Sequence, residues 1–377
     1  MKAPQIFSFF SGIGFLDLGF EKAGFVSAFV NEFDPDFLHA YQYARKQMRI
    51  QPPLYGYLQG SAESVLTGKD ANNFKKIFSA AQKSGSPVGF IGGPPCPDFS
   101  VGGKNRGKTG SNGRLTQVYA DIICQYKPDF FVFENVKGLW RTKMHRAFYE
   151  EIKKQFESNG YVLFERLINA LEYGAPQDRE RIILIGFNKK SKILKNLPKE
   201  MPWNSQILFT REQVKKQAWP DTELPKKDRT APKGIIRSLT VQYWFDKNRV
   251  LSHPNQAHCF TPRSALGKFK TIPEGDVAKK SFKRLHRWRY SPTAAYGNNE
   301  VHIHPYEARR ISAAEALAIQ SLPREFVLPP DMSLSDMFKT IGNGVPYKAA
   351  YGIAKTILEF INYKYEDNSG KHRKSNK

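Results

Sequence analysis

Val88-Gly-Phe-Ile-Gly-Gly-Pro-Pro-Cys96-Pro-Asp-Phe-Ser100 is the stretch from which the rest of the chain can be read. Val88 to Ile91 form a short apolar run of the kind that makes a buried strand. Gly92 and Gly93 are expected to break it. Pro94 and Pro95 then stiffen the backbone and withhold two N–H donors from any ladder. Cys96 is thereby held on a rigid turn just beyond a strand, where open α/β sheets place ligands and reactive groups. A buried cysteine in a proline-rich turn is the competing structural reading.

Working outward, Val101 to Asn112 is Gly-rich, basic and polar, and is expected to be a loop beside the thiol. Leu115 to Tyr126 reads as a helix, and Asp129 to Phe133 as a second buried strand ending in Glu134-Asn-Val136. A carboxylate at that point is costly unless partnered, so Glu134 is a functional candidate; a cap on the next turn is the alternative. Toward the N-terminus, Ile6 to Phe10 is a strand, Ser11-Gly-Ile-Gly14 a glycine turn, and Phe15 to Phe20 the start of a helix. Phe25 to Val30 is the next strand, which ends at Asn31-Glu32. Glu32 lies 20 positions after Gly12, the offset at which an acid reaches a ribose. Asp17 stands where a dinucleotide fingerprint wants its third glycine, which leaves a mononucleoside ligand.

Helices are expected over Asp34 to Met48, Phe74 to Gln82 and His145 to Asn159, with a short strand at Gly56 to Leu58. Tyr161 to Ala170 alternates like a strand, and Ile182 to Phe187 is the last apolar one. Arg179 and Arg181, two apart, point to one face. Ile311 to Leu322 reads as a helix with a Ser312–Glu315 capping box, Lys339 to Pro346 as a turn, and Tyr347 to Tyr363 as a long helix. Strands alternating with helices predict an α/β fold, a doubly wound, mostly parallel sheet. Asn188 onward is richer in Lys and Pro and weaker in periodicity, which places a domain boundary there.

At 377 residues the chain exceeds one ordinary domain. Three cysteines, Cys96, Cys124 and Cys259, are too scattered for a disulfide framework or a cysteine zinc site. Neither a signal peptide nor a membrane span is expected, and a cytoplasmic location is. The net charge is +23, and Asn188 to Tyr290 carries 24 Lys and Arg against eight Asp and Glu. Aromatics interleave with that charge (Trp203, Phe209, Trp219, Tyr243, Trp244, Phe245, Phe269, Phe282, Trp288, Tyr290), the footprint of nucleic-acid binding. A merely basic surface is the alternative.

An ordered series of motifs resembles the cytosine-C5 DNA methyltransferases: Phe9-Phe-Ser-Gly-Ile-Gly14, Asn31-Glu-Phe-Asp34, Gly93-Pro-Pro-Cys96, Glu134-Asn-Val136, Gln177-Asp-Arg-Glu-Arg181, Arg309 to Pro323, and Gly342-Asn-Gly-Val-Pro346. The resemblance implies a Rossmann-like catalytic fold, S-adenosylmethionine as cofactor, no metal, and methyl transfer to C5 of a cytosine flipped out of duplex DNA, with a cofactor-binding catalytic part at 1–187 and 340–377, a target-recognition part at 188–308 and a connection at 309–339. It implies Cys96 as nucleophile at C6, Glu134 at the N3 and N4 edge, and Arg179 and Arg181 at O2 and a phosphate. Phe10, Ser11, Gly12, Ile13, Gly14, Glu32, Phe33, Ser61, Ala62, Pro94, Asn343, Gly344 and Val345 are the implied cofactor residues. Ser100, Lys104 and Arg106 are the implied DNA contacts. Pro97, Ser61 and Phe15 depart from the family pattern, where Gln, Asp and Gly are usual. A monomer paired with a restriction endonuclease is expected. A tRNA cytosine methyltransferase, a non-catalytic DNA-binding relative, and a thiol hydrolase using His145 or His253 are the alternatives.

Overall fold

The computed structural model describes residues 2–95, 111–141, 143–228, 230–262, 266–279, 281–294, 296 and 301–363. In chain order the main elements are β1 (Gln5–Phe9), α1 (Phe15–Ala23), β2 (Val26–Glu32), α2 (Pro35–Gln47), β3 (Tyr57–Gln59), α3 (Gly68–Lys83), β4 (Val88–Gly92), α4 (Ser111–Tyr126), β5 (Phe130–Val136), α5 (Gly138–Arg141), α6 (Lys143–Ser158), β6 (Tyr161–Asn169) and β7 (Glu180–Asn188). Short helices α7 (Arg211–Lys215), α8 (Val241–Lys247) and α9 (Lys268–Thr271) follow, then α10 (Ala313–Ile319), α11 (Leu334–Asn343) and α12 (Tyr347–Ile361). No helix among the described residues is long and apolar enough to cross a membrane.

Seven strands form one sheet in the order β3-β2-β1-β4-β5-β7-β6. Neighbours from β3 to β5 pair in parallel, while β7 runs antiparallel to both β5 and β6. Sheets buried on both faces need apolar side chains at successive positions, which explains the unbroken runs. Phe131 and Phe133 of β5 join Phe7, Phe9 and Phe90 under α3, α4 and α6. Phe130 and Val132 point the other way, with Ile6, Ile91, Ile183 and Ile185, under α1 and α12. The strand period of two divides one sequence run between two cores.

Several boundaries differ from the sequence reading. β4 runs one residue beyond the apolar run, through Gly92, which pairs with Phe9 and Phe133. By contrast, Glu134 and Glu32 belong to the carboxyl ends of β5 and β2, where the sequence reading put them. Lys339 to Asn343 is the last part of α11 rather than a turn. The Ser312–Glu315 capping box forms as expected, but its helix stops at Ile319.

The chain after Asn188 packs on the sheet layers. Leu194 and Met201 join the α1–α12 core. Val241, Trp244 and Phe245 share a core with Phe15 and Leu18 of α1 and with α10 and α11. The aromatics that interleave with the basic charge are therefore largely packing residues; Tyr243 is exposed, whereas Trp244, Phe245 and Phe269 are buried. With few ladders to satisfy its backbone, this part relies on buried guanidinium groups. Arg284, wholly buried, donates to the carbonyls of Ile272, His304 and Glu307 at 2.8, 2.7 and 3.0 Å. Arg287 Nε pairs with Glu274 Oε1 at 2.9 Å in the same interior.

Candidate active site

Two clusters lie along the carboxyl edge of the parallel strands, the edge where such sheets carry their ligands. The first is built on β1 and β2. After β1 the backbone turns through Phe10 (φ 53°), Gly12 (φ 56°) and Gly14 (φ 80°). Glycine suits the last position for two reasons. The φ is left-handed, and a Cβ on Gly14 would lie 2.3 Å from Tyr41 and 2.6 Å from Arg45. Arg45 of α2 donates to the carbonyls of Ile13 (3.1 Å) and Gly14 (2.6 Å) and pairs with Glu21 at 3.2 Å. Asp17 is buried beside this pair, and burial pushes its carboxyl up to about 6 against the opposing pull of Arg45. Sequence reasoning missed Arg45; its i, i+4 placement with Tyr41 on one helix face was the available signal.

Glu32 crosses from the end of β2 to this turn. Its carboxylate accepts from the backbone N–H of Gly12 (2.7 Å), Phe33 (2.9 Å) and Asp34 (3.0 Å). Burial raises its pKa, and those three donors pull it back. Phe33 is 70% exposed beside this buried acid. A Cβ on Gly12 would meet nothing nearer than Thr340 Oγ1 at 3.9 Å, so the turn opens onto free space with α11 on its far side. Ser61, whose hydroxyl accepts from Glu63 N–H at 3.3 Å, caps the short 3-10 helix that begins at Ala62. Asn343 is exposed, and Val345 is buried in the α1–α12 core. Gly344 packs under Phe15: a Cβ there would come within 2.1 Å of that ring. The departure at Phe15 is thus met by a glycine more than 300 residues away in sequence.

The second cluster lies on β4, β5 and β7. Glu134 is 8% exposed, and its Oε1 lies 2.9 Å from Arg181 Nε. The register explains the meeting: Glu134 pairs with Ile183 and Val136 with Arg181 across the antiparallel ladder. A Cβ on Gly93 would stand 2.4 Å from Glu134 Oε2, so the Gly-Pro-Pro turn crosses directly over this carboxylate. Burial raises the Glu134 pKa, and Arg181 and then Arg179 lower it. Burial likewise works against the charge on both arginines, and Glu134 offsets it.

Arg179 and Arg181 do different work. Arg181 faces Glu134. Arg179 is 2% exposed and donates to three main-chain carbonyls, those of Ala294, Gly342 and Asn343, at 2.9, 2.8 and 3.2 Å. Pro94 is buried at the edge of the same cluster. Cys96, Pro97, Ser100, Lys104 and Arg106 lie outside the described residues.

A doubly wound sheet with an open glycine turn and a buried carboxylate–guanidinium pair along one edge is the frame of an α/β enzyme whose ligands bind at that edge. The family model for C-5 cytosine-specific DNA methylase matches residues 5–359, and the chain belongs to that family, the DNA cytosine methyltransferases. The Type II methyltransferase M.NmeDI of Neisseria meningitidis serogroup C is 58% identical over 365 residues, covering 97% of this chain and 86% of its own. The Type II methyltransferase M.FnuDI of Fusobacterium nucleatum is 31% identical over 368 residues, covering 95% of each. Among solved structures, a DNA modification methyltransferase encoded within an E. coli prophage matches with TM-score 0.67 at 22% identity, over 96% of this chain and 100% of its own. The Dnmt2 methyltransferase of S. pombe matches with TM-score 0.56 at 14% identity, over 96% of this chain and 100% of its own. At those identities the likeness bears on the fold alone. The family uses S-adenosylmethionine as methyl donor.

Proposed function

We propose that this enzyme methylates C5 of a flipped cytosine within one short duplex sequence, as the modification half of a restriction–modification pair. The observation that carries the site assignment is the Glu134–Arg181 pair beneath Gly93, two strands from the open turn at Gly12.

Cytosine C5 is too electron-poor to attack a methyl group unaided. In this reading the Cys96 thiolate adds to C6, forming a C–S bond and making C5 nucleophilic. Glu134 holds the N3 and N4 edge of the base. A carboxyl whose pKa is raised by burial can keep a proton to deliver to N3 as the ring is attacked. Arg181 orients that carboxyl and offers positive charge at O2. Loss of the C5 proton and elimination of the thiol then restore the aromatic ring.

The open turn fits S-adenosylmethionine. Gly12 leaves room above the backbone, Glu32 is an acceptor for ribose hydroxyls, and the exposed Phe33 ring can stack on adenine. Ser11, Ile13, Gly14, Phe10, Ala62, Pro94 and the Asn343–Val345 segment complete this assignment. When bound, the cofactor supplies an electrophilic methyl group. Cytosine C6 is hidden in a duplex, so the base must leave the stack. Residues 188–308 carry target recognition in this reading, and Ser100, Lys104 and Arg106 hold the opened strand.

Bisulfite sequencing of DNA from a host expressing the protein, beside the Cys96→Ser variant, tests the assignment. Methylated cytosines in one short context, absent with the variant, are expected. Unmodified DNA together with modified tRNA would move the substrate to RNA.

A further inference from the structure

Arg179 joins three parts of the chain that are far apart in sequence. The strap 291–294 lies on the 176–178 segment: Asp178 N–H donates to Ser291 O at 2.9 Å and Ser291 N–H to Pro176 O at 2.8 Å. Thr293 Oγ1 donates to Asp178 O at 2.6 Å, and Ala294 N–H donates to Gln177 Oε1 at 3.1 Å. The other side of Gln177 reaches Gln320 Oε1 at 3.2 Å, and Gln320 Nε2 in turn donates to the Ile341 carbonyl. Arg179 then holds Ala294 with Nη1 and Gly342 and Asn343 with Nη2. The strap comes from the recognition side, and the 342–343 corner from the cofactor side.

This junction is incompletely satisfied. Arg179 Nε and the Tyr296 hydroxyl are both buried and find no hydrogen-bond partner among the described residues. Tyr296 is 3% exposed, and its backbone N would lie 2.8 Å from a Cβ on Gly342. Two polar groups left unpaired in the interior carry a desolvation cost that hydrogen bonds would offset. The fork carries more N–H donors than the three carbonyls it serves, so a small shift of either flank can exchange one of these bonds for another.

Resting on the function proposed above, we infer that Arg179 is a positioning residue that couples target binding to cofactor binding. The strap 291–294 moves with the bound duplex, and Arg179 transmits its position to the Gly342–Asn343 corner facing the cofactor turn. A planar fork carries its donors in fixed directions on two separate nitrogens, whereas an ammonium group is a single compact centre that cannot span both flanks with the same geometry.

The test uses the full chain, S-adenosylhomocysteine as the cofactor-side probe, and a short duplex carrying the sequence mapped by bisulfite reading. Each Kd is measured alone and with the other ligand at saturation. Linkage requires both ratios to give the same coupling factor, expected on the order of tenfold for the wild type. Arg179→Lys is expected to bring the factor within about twofold of unity, a ratio that a uniform loss of affinity for either ligand would leave unmoved. Thr293→Val removes one strap bond at the surface and is expected to lower the factor partway, with unfolding temperature unchanged. If Arg179→Lys does not fold, Thr293→Val decides. A wild-type factor of unity, or an undiminished factor in the folded variants, overturns the coupling role. A wild type that binds neither probe overturns the site assignment itself, and the coupling with it.

Discussion

Glu32 and Glu134 occupy equivalent places, each at the carboxyl end of a parallel strand, each buried, and each with its pKa raised by that burial. They are satisfied in opposite ways. Glu32 accepts from three neutral backbone N–H groups, all within its own turn or the glycine turn opposite. Glu134 faces a guanidinium on an antiparallel neighbour strand and a glycine that admits no side chain. Fixed dipoles hold a carboxylate in place as a binding surface and leave little to change during a reaction. A partly screened ion pair holds a carboxyl that can take up or release a proton as charge develops nearby. The first arrangement suits recognition of a ribose, the second suits chemistry on a base.

That contrast can be broken most sharply at Glu134. Glu134→Gln is expected to slow single-turnover methyl transfer by a factor on the order of 10² to 10⁴. S-adenosylhomocysteine affinity should stay at the wild-type level; a matching loss of cofactor binding would place both acids in one role. Next in size is Asp17, the buried acid under the glycine turn, with Arg45, Glu21, Tyr41 and Ser8 around it. Its pKa rises from 3.8 to about 6 on folding. The folded chain therefore holds that proton more tightly than the unfolded chain. Its contribution is complete below about pH 4 and is lost as pH rises through about 6. Asp17→Asn should remove roughly 3 kcal/mol of pH dependence over that window, read from urea unfolding at several pH values. A pH profile unchanged by the substitution would mean that Asp17 stays ionised throughout.

Glu32→Gln replaces one acceptor oxygen with a donor that faces backbone N–H groups. Cofactor affinity should fall about tenfold, on the order of 1.4 kcal/mol. The rate at saturating cofactor should hold within about threefold, a split opposite to that of Glu134→Gln. The smallest effect is expected at Phe33. Phe33→Ala should weaken cofactor binding by about 1 kcal/mol through lost stacking, and change stability by less than about 0.5 kcal/mol because the ring is exposed. Equal losses in affinity and stability would make Phe33 a packing residue.

Much of this was legible in the chain. Each central strand appeared as an apolar run, because residues at successive positions must serve two cores. Glu32 was visible as an acid at a fixed offset from a glycine, and Glu134 as a charge abutting a buried strand. The orientation of β7 was not legible: a strand buried on both faces reads alike in either direction. The separate tasks of Arg179 and Arg181 were also hidden. Both are arginines facing one way, and only the carbonyls of Ala294, Gly342 and Asn343 distinguish them. Likewise the aromatics of 188–290 suggested base contacts, yet Trp244 and Phe245 spend themselves in the α10–α11 core.

By itself, then, the sequence determined the strand–helix alternation, the place of the glycine turn, and the motif series that marks the family. Those are local properties, set by side-chain period and by backbone freedom over a few residues. Tertiary structure alone decided which distant groups meet: Glu134 with Arg181 through an antiparallel register, Phe15 with Gly344, and Arg179 with both flanks of the site. Such contacts depend on how layers close on one another in space, and no spacing along the chain encodes that distance.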